Sequence, residues 1–330
     1  MSWSPGVAIG ERYSDFIEQK LTEHLGENWI VDVAACGDGG NTAAEGFERL
    51  ERDCISYQPH IVVLCFGAND SIRAPDREQF KLFYRKIIDS IRENATKHII
   101  LETIPTLDEK LHSQRSNPKA LFYGGLENYV EFFSHSFIRE IAQRENLILY
   151  DRFKVYHQEI EENPQTRERL IQKDGVHLTE QGNEFFAQAL VPLIIPIIPQ
   201  IHQFQINAVK YLEQAQLNPV YLECIQSLKT ENLKEYLTES QNLKRLMLQK
   251  TRSFARRAMA MSDEEKIINE AKKIEALACG FIAAEKIFNS QDKKTADKSK
   301  NWAINYLQKV SFHPGVKKFF EYFSAVLTEL

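Results

Sequence analysis

Apolar and polar positions alternate with two periods along the first 200 residues. Residues 11–25 place Tyr13, Phe16, Ile17, Leu21 and Leu25 at helical spacing, which predicts a helix with one apolar face. Residues 29–35 form a short apolar run and predict a strand. Residues 42–57 return to helical spacing, with Phe47, Leu50 and Cys54 facing inward. Pro59 restarts the chain, and residues 60–66 read as a buried strand. A helix over 76–91, with Phe80, Phe83, Ile87 and Ile91 in register, leads to a strand over 97–103. The polar stretch 106–125, with Pro118 and Gly124-Gly125, reads either as a lid over a site or as an inert surface insertion. A long helix over 126–144, a strand over 147–150, mixed helix and turn over 151–173 and a helix over 180–193 follow. Strands alternating with helices through short links predict a parallel α/β sheet.

From about residue 201 the strand signal stops. Helical spacing predicts helices over 201–217, 219–228, 231–261, 263–288, 300–310 and 316–327. Ser262 and Glu265 form a capping-box pattern, and residues 289–300 and Pro314-Gly315 are breaks. The expected organisation is an α/β domain over 1–200 and an all-helical domain over 201–330.

Charge sharpens that boundary. Residues 201–330 hold 20 Lys and Arg against 15 Asp and Glu, whereas the first 200 hold 21 against 31. The whole chain of 330 residues carries −5, with 43% hydrophobic and 26% charged residues, the balance of a globular protein. No run of 18 apolar residues occurs and Met1 begins no secretory signal, so neither a membrane span nor export is expected. Five scattered cysteines (Cys36, Cys54, Cys65, Cys224, Cys279) show no disulfide framework and no zinc spacing. They predict a reducing, cytoplasmic setting. Cations from Lys244 to Arg257 share a stretch with Leu243, Met247, Phe254, Ala258 and Met261. Such a helix either lies on anionic lipid or is an ordinary solvated face over a core stripe, and the second is the commoner case.

Three loops carry chemistry. Asp174 stands three residues before His177 on a turn, within reach of its ring. The acid can fix the tautomer and leave the other ring nitrogen free as a general base. Cys36-Gly37-Asp38-Gly39-Gly40-Asn41-Thr42 follows the run 30–35, and Phe66-Gly67-Ala68-Asn69-Asp70 follows the run 61–65. Loops at the carboxyl ends of parallel strands collect where ligands bind. Gly37 allows close backbone approach and Asn69 offers a side-chain amide, so both are candidate oxyanion donors.

In this order the blocks resemble the SGNH hydrolases, also called the GDSL esterase/lipase family, over about residues 2–195. Gly37 to Thr42 matches that family's G-x-x-G-x-T block, Gly67-Ala68-Asn69-Asp70 its G-x-N-D block, and Asp174 and His177 its D-x-x-H block. Ser2, Trp3, Ser4 and Gly6 fit the first block from the nucleophile onward, without the preceding Gly-Asp and without the strand before it. Either the natural protein extends further upstream, or this is a shortened member. The resemblance implies a flavodoxin-like, three-layer parallel sheet with its first strand missing. It also implies a serine esterase acting on a small ester or acyl substrate through a Ser2-His177-Asp174 triad. The oxyanion hole would then comprise the Ser2 and Gly37 amides and the Asn69 side chain. It implies no metal and no cofactor, and no nucleic-acid partner is expected. The rival is a catalytically impaired SGNH-like domain joined to a helical interaction module whose partner the sequence does not name.

Overall fold

The structure is a computed structural model and describes residues 6–26, 29–200, 208–229, 232–238, 242–290, 292–308 and 317. Up to the last strand the helices are α1 (Tyr13–Leu25), α2 (Ala43–Glu48), α3 (Leu50–Asp53), α4 (Ala68–Arg73), α5 (Arg77–Asn94), α6 (Pro118–Phe122), α7 (Leu126–Val130) and α8 (Ser136–Arg144). The strands are β1 (Val62–Leu64), β2 (Ile99–Glu102) and β3 (Ile148–Tyr150). Beyond β3 lie α9 (Arg152–Glu162), α10 (Arg167–Leu170), α11 (Glu180–Ile194), α12 (Ala208–Gln216), α13 (Pro219–Lys229), α14 (Leu233–Thr238), α15 (Asn242–Ala260), α16 (Glu265–Phe288) and α17 (Lys293–Gln308).

The chain divides into two compact units, one formed by Cys36–Ile201 and the other by Gly6–Ala35 together with His202–Leu330. Residues 6–35, expected in the α/β domain, pack instead with the helices.

In the first unit β1, β2 and β3 lie parallel in that order, with Val62 opposite Ile99 and Ile100 opposite Ile148. All four residues of β2 are buried, as a central strand covered on both faces requires. Helix α5 turns Phe80, Tyr84, Ile87, Ile88 and Ile91 inward, and α8 adds Phe137, Ile138 and Ile141 to the same core. Asp76 caps α5 by accepting from the Glu78 and Gln79 amides, so the predicted start at residue 76 is the cap itself. The stretch Glu180–Pro199 is long and apolar enough to cross a membrane by length and composition. Here Phe186, Ala187, Leu190 and Val191 of α11 are buried, and Tyr150 of β3 donates to the Phe186 carbonyl. The helix predicted over 126–144 holds a π turn at Glu131–His135 between α7 and α8. That over 42–57 breaks at Arg49, where ψ turns to 5°.

The second unit corrects the strand expected over 29–35: these residues form no strand. Several of their polar groups bond side chains of the helices. The Val33 amide donates to Glu18 of α1, Arg256 of α15 donates to the Val31 carbonyl, and Ser253 bonds Asp32. Arg252 and Arg256 are buried and paired with Glu18, and Arg256 also pairs with Glu275. Two of the six cations in the basic stripe are therefore turned into the unit rather than toward a lipid surface. Around them α15 and α16 bury Phe254, Ala255, Ala258, Leu277 and Phe281. The segment predicted as one helix over 231–261 contains α14 and α15. Helix α16 starts at Glu265 with Glu264 as its cap residue, so Ser262 and Glu265 form no capping box, and α17 begins seven residues before the predicted 300. The helix expected over 316–327 lies outside the described residues except for Lys317.

Candidate active site

The Asp174–His177 pair is built by a short hairpin. Ile171 bridges Leu178, the Gln172 amide donates to the His177 carbonyl at 2.7 Å, and Thr179 caps α11 through the Gly182 amide. Asp174 Oδ1 accepts from the Val176 and His177 amides at 2.9 and 3.0 Å. This leaves Oδ2 aimed at His177 Nδ1, 2.6 Å away. With Nδ1 facing a carboxylate, Nε2 is the ring nitrogen that could serve as a base toward a substrate or nucleophile. The His177 side chain is 25% exposed, so the pair is open to small molecules. Partial burial raises the Asp174 carboxyl, but the bonds from the His177 ring and from the two amides outweigh it. Its pKa lies below the ordinary carboxylate value.

The turn is docked on the segment after β2. Gly175 takes φ +76°, and a Cβ there would stand 2.9 Å from the His112 amide nitrogen, so only glycine fits. The Gly175 carbonyl accepts from the Asp108 amide at 2.8 Å. Asp108 is fully buried and ion-paired with Arg167 of α10. Thr106, Leu107, Asp108 and His112 are all buried, so the first part of the polar stretch 106–125 supports the Asp174–His177 turn and is not a free lid. His112 Nδ1 accepts from the Gln114 amide at 3.0 Å, which requires that nitrogen to be unprotonated. Burial holds the His112 pKa down, against the pull of the Asp174 charge.

A second group of residues holds the two glycine blocks together. Arg49 donates to Asn41 Oδ1 at 2.7 Å and to the Cys36 carbonyl at 2.6 Å, closing the loop that carries Gly37. Thr42 caps α2, with Glu45 reaching back to the Thr42 amide at 2.7 Å. Asp70 is buried and accepts from the Gly67 amide at 3.0 Å and the Ala43 amide at 2.8 Å, tying one block to the other. Burial raises its pKa, and the two amides oppose that. Asn69 donates to the Asn41 carbonyl at 3.1 Å. An amide nitrogen carries two hydrogens, and Asn41 takes one. Gly67 has φ +122°, and a Cβ would lie 2.6 Å from Ser134 Cβ in the π turn.

Of the residues expected in the site, Asp174 and His177 are in direct contact, and Asn69 and Gly37 share one tied loop system. Ser2 lies outside the described residues. Arg49, Asp108 and His112 were not singled out from the sequence. None of the three has a motif or spacing in the sequence that marks it.

The family model for the GDSL-like lipase/acylhydrolase family matches residues 2–185, more than half of the chain. The chain belongs to the GDSL-like lipase/acylhydrolase family. Membership places it among hydrolases. A solved structure similar to it is the crystal structure of an acetyl xylan esterase, 26% identical over 56% of this chain and 91% of that one, with a TM-score of 0.45. No curated protein matches the chain. Within the GDSL-like block the sheet, the Asp174–His177 turn and the tied glycine loops all belong to the unit Cys36–Ile201.

Proposed function

We propose that the chain is a serine esterase that cleaves a small ester or acyl substrate through an acyl-enzyme on Ser2. The observation that carries this reading is the Asp174–His177 contact of 2.6 Å, with the carboxylate held in place by two backbone amides. In this mechanism His177 Nε2 takes the proton of Ser2 Oγ as that oxygen bonds the carbonyl carbon. The carbonyl oxygen becomes an oxyanion, met by the Ser2 and Gly37 amides and the Asn69 side chain. Collapse breaks the ester bond, and His177 returns the proton to the leaving alcohol. Water, deprotonated by His177, then frees the acid and restores Ser2. Asp174 keeps the imidazole in the productive tautomer and stabilises its cation.

Mass analysis after treatment with a serine-reactive fluorophosphonate tests the reading. An adduct on Ser2 that is lost in His177→Ala is the expected result. A folded protein that takes no adduct, or takes it on another serine, overturns it. The second reading, an impaired domain with a helical interaction module, is favoured by one observation: residues 6–35, which follow Ser2 in the chain, pack with the helices and add no strand to the sheet. Absent hydrolysis, with partner binding that survives both Ser2→Ala and His177→Ala, would select it.

A further inference from the structure

The sheet unit has a concavity of about 430 Å³ between the start of α5 and the helices α6 and α7 with the π turn that follows. Its size falls within the range of small-molecule sites. Tyr129 forms part of its wall and donates from its hydroxyl to the Ser71 carbonyl of α4 at 3.0 Å. The rest of its apolar lining is mostly aromatic. Tyr123 stacks on Phe132 with centroids 4.5 Å apart, and Phe122 meets Tyr123 edge-on at 5.2 Å. Phe122 is 83% exposed and Phe132 41%, so two large rings face water at a concave site.

The polar character of the same pocket has one sign. Arg77 and Lys119 line it, and no Asp, Glu, Asn or Gln does. Neither cation forms an ion pair among the described residues. Neutral partners hold both in place. Arg77 donates to the Phe132 carbonyl at 2.9 Å and to Ser136 Oγ at 3.3 Å, with its guanidinium 4.7 Å from the Phe132 ring centre. Lys119 donates to the Pro75 carbonyl at 3.0 Å. An ammonium has three hydrogens, so Lys119 keeps donors for a ligand.

We propose that this pocket is a binding site for a small aromatic carboxylate, its ring against Phe122, Tyr123 and Phe132 and its charge toward Lys119 and Arg77. A sugar would ask for carboxylate or amide acceptors, which the lining does not offer. A neutral aliphatic chain would gain nothing from two fixed cations, and an aliphatic acid would forgo ring stacking on Phe122, Tyr123 and Phe132. The site is independent of the hydrolytic reading, and its test reads binding rather than turnover.

The experiment is calorimetric titration of the full chain with 4-hydroxybenzoate, and with 4-hydroxybenzyl alcohol as the neutral comparator. The acid is expected to bind at least about threefold more tightly than the alcohol, with the gap closing as salt rises. Phe122→Ala with Phe132→Ala is expected to weaken the acid by about tenfold, and Lys119→Gln by about threefold. All three side chains are exposed or partly so, which keeps the fold out of the comparison. Absence of binding at millimolar acid overturns the proposal. So does equal binding of acid and alcohol, or binding that the ring variants leave unchanged.

Discussion

At the scale of single residues, the Asp174–His177 turn depends on which atoms accept and which donate. Asp174 is an acceptor at both oxygens: Oδ1 takes two amides and Oδ2 faces His177 Nδ1. Asp174→Asn leaves an oxygen for the amides and turns an NH₂ toward the ring, which forces the proton onto the wrong nitrogen. If the chain hydrolyses esters as proposed, kcat should fall by about 10³- to 10⁴-fold with the circular dichroism spectrum unchanged. A loss below about tenfold would mean that His177 is not oriented by this acid. The spacing of Asp174 and His177 was legible in the sequence because three residues on a turn are local. The close approach of His112 was not, since 65 positions separate it from His177 and no periodicity links them.

At the scale of elements, the chain satisfies backbone groups with whatever acceptor or donor lies nearest. Residues 29–35 show this most clearly. Their apolar run has the composition of a strand, yet they form none, and Glu18 and Arg256 bond the Val33 amide and the Val31 carbonyl as a ladder partner would. The same logic breaks the predicted helix 42–57 at Arg49, whose guanidinium serves Asn41, the Cys36 carbonyl and Asp53 at once. Arg49→Ala removes the clamp on the Gly37 loop. The proposed oxyanion donor then loses its fixed position, and a misplacement of about 1 Å costs on the order of a hundredfold in rate. Arg49→Lys should rescue little, because an ammonium cannot reproduce the planar fork. Steady-state kinetics on both variants checks this, and full rescue by lysine would show that charge alone suffices.

At the scale of the whole molecule, two units carry two buried charge systems. Burial raises the Glu18 carboxyl, but the Arg252 and Arg256 charges outweigh it and hold its pKa at about 2 rather than 4.5. In the sheet unit burial likewise raises Asp151, and the two bonds from Arg139 bring it below its ordinary value. A carboxylate depressed in the folded state gives stability that is complete above its unfolded pKa and lost as pH falls toward the folded one. Denaturant midpoints should therefore hold near neutral pH and drop from about pH 4.5 downward. Glu18→Gln should lower the neutral midpoint, since unpairing buried cations costs about 3–5 kcal/mol, and should flatten the acid limb. An unchanged acid limb would place the titration elsewhere.

Unit composition leads to one more expectation at this scale. A fragment ending at residue 200 keeps residues 6–25 but lacks α15 and α17, which bind them through Arg252 to Glu18 of α1 and Ser299 to the Ile9 amide ahead of it. Hydrogen exchange in that fragment should show residues 6–35 unprotected and α5 and β2 still protected. Protection of α1 in the fragment would mean that it needs no helical partner.

The sequence by itself determined what is local or periodic. The inward face of α5, the buried runs β1 and β2, the caps at Asp76 and Thr42 and the contact of Asp174 with His177 all follow from spacing of a few residues. So do the glycine blocks that mark the GDSL-like family. Only the tertiary structure decided which distant groups meet: Arg49 with Cys36, Asp108 with the Gly175 turn, Glu18 and Arg256 with residues 31–33, and α1 with the C-terminal helices. The reason is physical. Spacing determines which face of an element is apolar, whereas a buried amide or charge is satisfied equally well by any partner of the right polarity, and the folded chain alone determines which one is within 3 Å.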